Sequence, residues 1–143
     1  MDITEAPTIP STHDPKVATL QEAYAAFGRG DIAAVLDVLT DDVDFAAEPA
    51  STNAPWYGHT EGKDGVAHFF EAIGGAMEIT DFTPVAYASN DTDVMAVVRW
   101  SYTARATGKT VSMNLHHWWT FRDGKICRFR GAEDSEQSVD ALR

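Results

Sequence analysis

Apolar and polar side chains alternate along residues 111–122. Val111, Met113, Leu115, His117, Trp119 and Phe121 form one set; Ser112, Asn114, His116, Trp118, Thr120 and Arg122 form the other. A period of two marks a strand with one buried face, and the first, more apolar set is assigned to the core. Asp123-Gly124 suits a two-residue hairpin turn, so a partner strand follows through Asp134. Residues 79–88 and 94–106 read as two further strands, with turns at Asn90-Asp91 and Thr107-Gly108. Upstream the period becomes helical. Val17, Leu20, Tyr24 and Phe27 follow a cap and first-turn proline at Asp14-Pro15, and Gly28-Arg29-Gly30 ends that helix. Asp31 caps a second helix with Ile32, Val35, Leu36 and Leu39 on one face, closed by Asp41-Asp42, and residues 43–47 form a short strand. A third helix begins near Asp64, carries Val66, Phe69, Phe70 and Ile73 as its stripe, and ends at Gly74-Gly75. Three helices followed by a four-strand antiparallel meander make an α+β plan.

Counting back from two two-residue turns gives a register. The inner face carries the rows Val98–His117–Arg130, Trp100–Leu115–Ala132 and Tyr102–Met113–Asp134. The outer face carries Val97–Trp118–Phe129, Arg99–His116–Gly131 and Ser101–Asn114–Glu133. A β-bulge, common in strands this long, would shift these rows locally.

Residues 14–135 hold the whole pattern and read as one domain. Residues 1–13, with two prolines and little apolar content, are expected to be a flexible tail, and residues 136–143 a second, C-terminal one. The loop 48–60 carries Trp56 and Tyr57 and is expected to fold over part of the domain. The net charge of −11 would repel phosphate backbones and anionic lipid, which sets nucleic acid and membrane aside as partners. A single cysteine, Cys127, allows no internal disulfide. No run is apolar enough to span a bilayer and no signal-peptide core is visible, so the cytoplasm is the expected location.

His117 is the titratable member of the core-facing set. Burial beside Val98 and a neighbouring Arg130 both favour the neutral ring, the form a general base needs. The alternative is a core histidine bonded to the backbone or to Tyr24. Arg130 is a candidate for holding a ligand carbonyl or carboxylate, or else pairs with an acid such as Glu48. Tyr24 is a candidate donor to a ligand oxygen, and Asp134 a candidate acid/base. Trp56, Phe69, Trp100, Tyr102, Met113, Leu115 and Trp119 are the candidate pocket lining. A metal site is not expected. His116 and His117 point to opposite faces, His68 lies off its helix stripe, and no Cys/His cluster exists. Nor is there a glycine-rich phosphate loop, and no cofactor is expected.

Several strings in order, GDI at 30–32, LTDDV at 39–43, YGHTEGKDGV at 57–66, WTFRDGKI at 119–126 and RGAED at 130–134, resemble the SnoaL-like branch of the nuclear-transport-factor-2-like superfamily, to which ketosteroid isomerase and limonene-epoxide hydrolase also belong. The resemblance covers roughly residues 17–134. It implies a curved antiparallel sheet wrapped by three N-terminal helices into a cone with an internal pocket, a cystatin-like α+β barrel. It places His117 where the isomerase oxyanion hole has a protonated aspartate and Tyr24 where it has a tyrosine. Phe69 and Trp100 fall on pocket-lining positions. The isomerase base falls at Ala47, so steroid isomerisation by that mechanism is not expected; Glu48 is one residue late and points the other way.

Two functions are therefore carried forward. One is cofactor-free acid/base chemistry of isomerase, cyclase, hydrolase or dehydratase type on a mid-sized apolar oxygenated molecule, with His117, Tyr24, Arg130 and Asp134 as the reacting groups. The other is a non-catalytic binding or dimerisation module of the same fold. In either case the outer row Val97, Trp118 and Phe129 is an apolar patch expected to pair two copies into a homodimer.

Overall fold

A computed structural model describes residues 14–49 and 51–143; the expected N-terminal tail, residues 1–13, lies outside the described residues. Four helices and six strands are present among them. Helix α1 (Pro15–Gly28) starts where Asp14 accepts a hydrogen bond from the Lys16 backbone N–H, and it buries Val17, Leu20 and Tyr24. Gly30, at φ 75°, takes the left-handed conformation that turns the chain into α2 (Ile32–Asp37), capped by Asp31. Helix α2 is shorter than expected. Leu39 does not extend its face but opens strand β1 (Leu39–Ala47) beside Ile126, almost fully buried.

The loop after β1 contains an unforeseen strand, β2 (Gly58–Glu61), antiparallel to β1. Helix α3 (Gly62–Ala76) runs through Gly74-Gly75 rather than stopping there. Gly65 is needed for close packing, since a Cβ there would sit 1.7 Å from the Thr60 hydroxyl. Strands β3 (Met77–Ser89), β4 (Asp93–Ala104), β5 (Thr110–Arg122) and β6 (Lys125–Ala132) form the expected antiparallel meander, and helix α4 (Ser135–Ala141) replaces the expected C-terminal tail. The sheet is open, in the order β2-β1-β6-β5-β4-β3, with β1 parallel to β6. Pro84 is tolerated because β3 is an edge strand with two register breaks, which help to bend the sheet around the helices.

The register departs from the expected rows in two ways. Between β4 and β5 the turn at Thr107-Gly108 belongs to a longer loop, residues 105–108, closed by the Ala104 N–H on the Lys109 carbonyl. Each row therefore slides by two residues: Ala96 opposes His117, Val98 opposes Leu115 and Trp100 opposes Met113. A slip of two keeps every side chain on its face, and alternate residues of β4 from Val94 to Ala104 are all buried as expected. Between β5 and β6 the Asp123-Gly124 turn is tight, with φ of 52° and 82°, but Cys127 is unpaired: Phe121 opposes Ile126, whereas Thr120 opposes Arg128. That bulge shifts the rest of β6 by one residue, and a slip of one reverses faces. Phe129 thus turns inward, 5% exposed, and Arg130 turns outward opposite Trp118. The expected outer row Val97–Trp118–Phe129 does not exist; Trp118 instead opposes Met95, with the Arg128 guanidinium 4.4 Å above its ring.

Deleting Cys127 should therefore be far more damaging than replacing it. Removal of the residue forces Phe129 out of the core or distorts the turn, a loss of more than about 3 kcal/mol by analogy with large core truncations. Cys127→Ser keeps the count and should melt within a few degrees of the parent. Calorimetry showing the deletion as stable as the parent would mean that the bulge does not set the faces.

Candidate ligand-binding site

The concave face of the sheet and the helices enclose a cavity of about 760 Å³, counting the space at its mouth. Tyr24 and Phe27 reach it from α1, Phe69 and Phe70 from α3, and Phe82 and Trp100 from β3 and β4. Leu115, His117 and Trp119 come from β5, Phe129 and Gly131 from β6, and Phe45 and Ala47 from β1. Trp56, in the loop before β2, and Glu133, just after β6, complete one end. The bulge places Phe129 so that it stacks on Phe45 at 4.4 Å and lies 4.3 Å from Trp119, centroid to centroid. Opposite His117 stands Gly131, where a Cβ would lie 2.6 Å from the Phe129 ring. The strand has no room there for a side chain.

Three polar side chains form a chain of hydrogen bonds within this apolar wall. The Trp119 Nε1–H donates to the Tyr24 hydroxyl oxygen at 3.0 Å, and Tyr24 Oη lies 2.7 Å from His117 Nδ1. Indole N–H can only donate, so Tyr24 accepts on that side and its own proton is free to go to Nδ1. The reverse assignment, with Nδ1 protonated, leaves the Tyr24 proton without an acceptor among the described residues, at a cost of roughly 1–3 kcal/mol for a buried donor. The neutral ring therefore carries its proton on Nε2, for which no partner exists among the described residues. Burial keeps the Tyr24 phenol protonated, well above its usual range. Burial also drives His117 down to about 3, with the charge of neighbouring His116 adding to it. Burial is one of the two expected causes; Arg130, the other, has no part in this.

Arg130 points away from the cavity. Its Nη2 lies 2.9 Å from Asp44 Oδ1, and Nη1 donates to the carbonyls of Phe129 and Asp44. Its partner acid is Asp44, not Glu48, and the guanidinium holds the Asp44 carboxyl below its usual range. Asp134 accepts from the Gln137 N–H as the cap of α4 and does not line the cavity. Tyr102 and Met113 are also absent from the wall, whereas Tyr24, Trp56, Phe69, Trp100, Leu115, His117 and Trp119 are all on it. Ala47 faces the cavity and Glu48 is exposed, its N–H bonded to the Gly131 carbonyl.

The expected rows put Glu133 on the outer face; the bulge brings it inside. Its Oε1 accepts from Trp56 Nε1–H at 2.8 Å, and its Oε2 from the hydroxyls of Tyr57, at 3.2 Å, and of Ser138. Ser138 in turn accepts from Tyr102, 3.0 Å away. The loop, α4 and the sheet therefore meet on one carboxylate. The sequence gives no local signal for this beyond the strand length that makes a bulge expected. Helix α4 did have a signal, an Asp134 cap with Gln137 three residues on. No group of three His, Cys, Asp or Glu side chains among the described residues converges as a metal site would.

The SnoaL-like domain family matches residues 20–129, and the chain belongs to it. Among solved structures, a nuclear-transport-factor-2-like protein of unknown function from Burkholderia pseudomallei is 22% identical, with a TM-score of 0.83 over 90% of this chain and 98% of its own. TerC, crystallised with polyporic acid, is 20% identical, TM-score 0.81, over 90% and 98%. A Xanthomonas campestris pv. campestris protein with a provisional polyketide-cyclase name is 21% identical, TM-score 0.73, over 93% and 100%. These likenesses establish the cone fold. No curated protein matches the sequence.

The His117 resonances should titrate far below the ordinary histidine midpoint of about 6.5, with the proton on Nε2 at neutral pH. The sign for stability follows. With the folded value depressed, the unfolded state binds more protons between the two values. This contribution is full above about 6.5 and is lost as pH falls toward about 3, by up to about 1.4 kcal/mol per pH unit. Nitrogen-detected NMR of the ring checks both points; a midpoint at or above the ordinary value would overturn the assignment.

Proposed function

We propose that the cavity binds a mid-sized, largely apolar molecule bearing a carbonyl or equivalent oxygen, and that His117 holds that oxygen through Nε2–H. The supporting observation is the Trp119–Tyr24–His117 chain, which fixes the tautomer and leaves the Nε2–H at the cavity wall without a partner among the described residues. The cavity is walled mainly by aromatic and aliphatic side chains with few polar groups, as small-molecule sites usually are. A neutral N–H fixed in such a wall stabilises negative charge as it develops on a ketone oxygen when a proton leaves the adjacent carbon. That is the electrostatic half of cofactor-free isomerase and cyclase chemistry, in keeping with a relative that carries a polyketide-cyclase name and another crystallised with polyporic acid.

A second reading, a carrier of the same ligand class without chemistry, draws on Ala47. Its methyl group stands on the cavity wall at the position where the resemblance to ketosteroid isomerase puts the base.

Native mass spectrometry of freshly purified protein is expected to show a retained small molecule. A direct test uses 2-acetylnaphthalene as a probe. Its carbonyl stretch should fall in frequency on binding, and His117→Phe should abolish that fall and weaken binding about tenfold, the value of one hydrogen bond in a dry site. An unchanged frequency and affinity in the variant would remove His117 from the contact. Deuterium exchange into the probe's methyl group, faster with protein than without, separates the enzyme from the carrier.

A further inference from the structure

Six side chains on the cavity wall carry polar atoms: Tyr24, Trp56, Trp100, His117, Trp119 and Glu133. Three of them are committed. The Trp56 and Trp119 N–H groups each serve one acceptor, and the Tyr24 hydroxyl accepts one bond and donates one. Three retain capacity. His117 has its Nε2–H and Trp100 its Nε1–H, neither with a partner among the described residues, so Glu133 is the one acceptor of the three. Glu133 has acceptor sites, because a carboxylate offers about four and three are filled, only one of them on Oε1. No Lys, Arg or His among the described residues pairs with Glu133, so its charge is balanced by three donors and by no cation.

Those donors also fix where the carboxylate points. Trp56 holds Oε1 from the loop; Tyr57 and Ser138 hold Oε2, with Tyr102 orienting the Ser138 hydroxyl. Gly131 opposes His117, and Glu133 lies two residues further along the chain, just past the end of β6, so the two polar groups arise roughly 7 Å apart at extended-chain spacing. Aromatic and aliphatic side chains make up most of the remaining wall.

We propose that Glu133 is a second ligand-binding pole that accepts a hydrogen bond from a hydroxyl group, and that the ligand is a hydroxylated ketone with its carbonyl on His117 and its hydroxyl on Glu133. This deepens the preceding reading and rests on it. The two poles are opposite in kind. His117 offers a donor and selects an acceptor; Glu133 offers acceptors only and selects a donor. A flat hydroxyaryl or polyene ketone satisfies both and fills the aromatic walls between them. A molecule with a second carbonyl or an acid at the Glu133 end would set lone pairs against a carboxylate and be rejected.

Titration calorimetry with three probes on one skeleton tests this: 2-acetylnaphthalene, its 6-hydroxy derivative and its 6-methoxy derivative. The hydroxy compound is expected to bind the wild type about tenfold tighter than the parent, as a hydrogen bond to a charged acceptor allows, while the methoxy compound shows no such gain. In Glu133→Leu the hydroxy-to-parent affinity ratio should fall to about one, and in Glu133→Gln to a value between. A Glu133 that merely ties the loop and α4 to the sheet would change all three affinities together and leave the ratio at about ten. That outcome, or a methoxy compound as tight as the hydroxy, overturns the proposal. The methoxy comparison needs no variant and decides the matter if Glu133→Leu fails to fold. Parent binding with no hydroxy gain defeats Glu133 alone; failure of every probe to bind the wild type defeats the carbonyl reading and this one with it.

Discussion

Cys127 lies in β6 without a partner on β5, and the strand turns over at that point. Without the extra residue, Phe129, Gly131 and Glu133 would face outward, and Arg130 would sit against His117 in the core. With it, an aromatic ring closes the stack between Phe45 and Trp119, a glycine opposite the histidine makes room for that ring, and a carboxylate enters the end of the cavity. The guanidinium meanwhile finds Asp44 at the outer side of the sheet, where an ion pair is partly solvated and carries a smaller desolvation cost than it would in the core. One backbone irregularity thus sorts the charges of a whole strand.

The sorting determines what His117 can be. A buried guanidinium beside it would also have kept the ring neutral, but would have filled the space a ligand needs. The ring is neutral instead because apolar surroundings disfavour the cation and because its Nδ1 is taken by a phenol proton. Protonation would put a second hydrogen into that contact and displace the Tyr24 proton. Tyr24 itself is fixed by Trp119, so an indole at the base of the strand sets the proton on the far side of the imidazole. Trp119, Tyr24 and His117 are bonded in series, and a paired network of this kind strengthens a core rather than weakening it.

Much of this was legible. Alternation gave the inner faces of β4 and β5, and helical spacing gave Tyr24 and Phe69 their place on the cavity wall. An error of two residues in the β4–β5 register left those faces intact, because side-chain direction repeats every two. The error of one in β6 reversed Phe129, Arg130 and Glu133, because nothing local in residues 125–134 marks where the unpaired residue falls. Leu39 fits the helical spacing of Ile32, Val35 and Leu36, yet it is drawn into the sheet, where it is almost fully buried beside Ile126. Gly74 and Gly75 continue α3 despite a propensity cost of about 1 kcal/mol each, since Ile73 and the turns before it are held by packing. In these two cases tertiary contacts outweighed the local preference.

The end of the cavity that holds Glu133 shows why stability and recognition are difficult to separate here. Residues 135–141 bury only Ser138 and Ala141, with Leu142 packed beside them, so polar contacts carry much of the docking of this two-turn helix. The Asp134 cap starts that helix, and three further contacts dock it: the Ser112 N–H on the Gln137 side chain, the Thr107 hydroxyl on the Ala141 carbonyl, and the Ser138 hydroxyl on the same carboxylate that receives the Trp56 indole and the Tyr57 phenol. A hydrophobic residue at 133 would pack well against Trp56 and would leave three donors near it without an acceptor, so the polar group is retained by the needs of its neighbours. Its remaining lone pair belongs to the cavity. The carboxylate that closes the cone is also the acceptor at that end of the cavity wall, and a ligand donor bonded there would complete the same network that holds α4 in place.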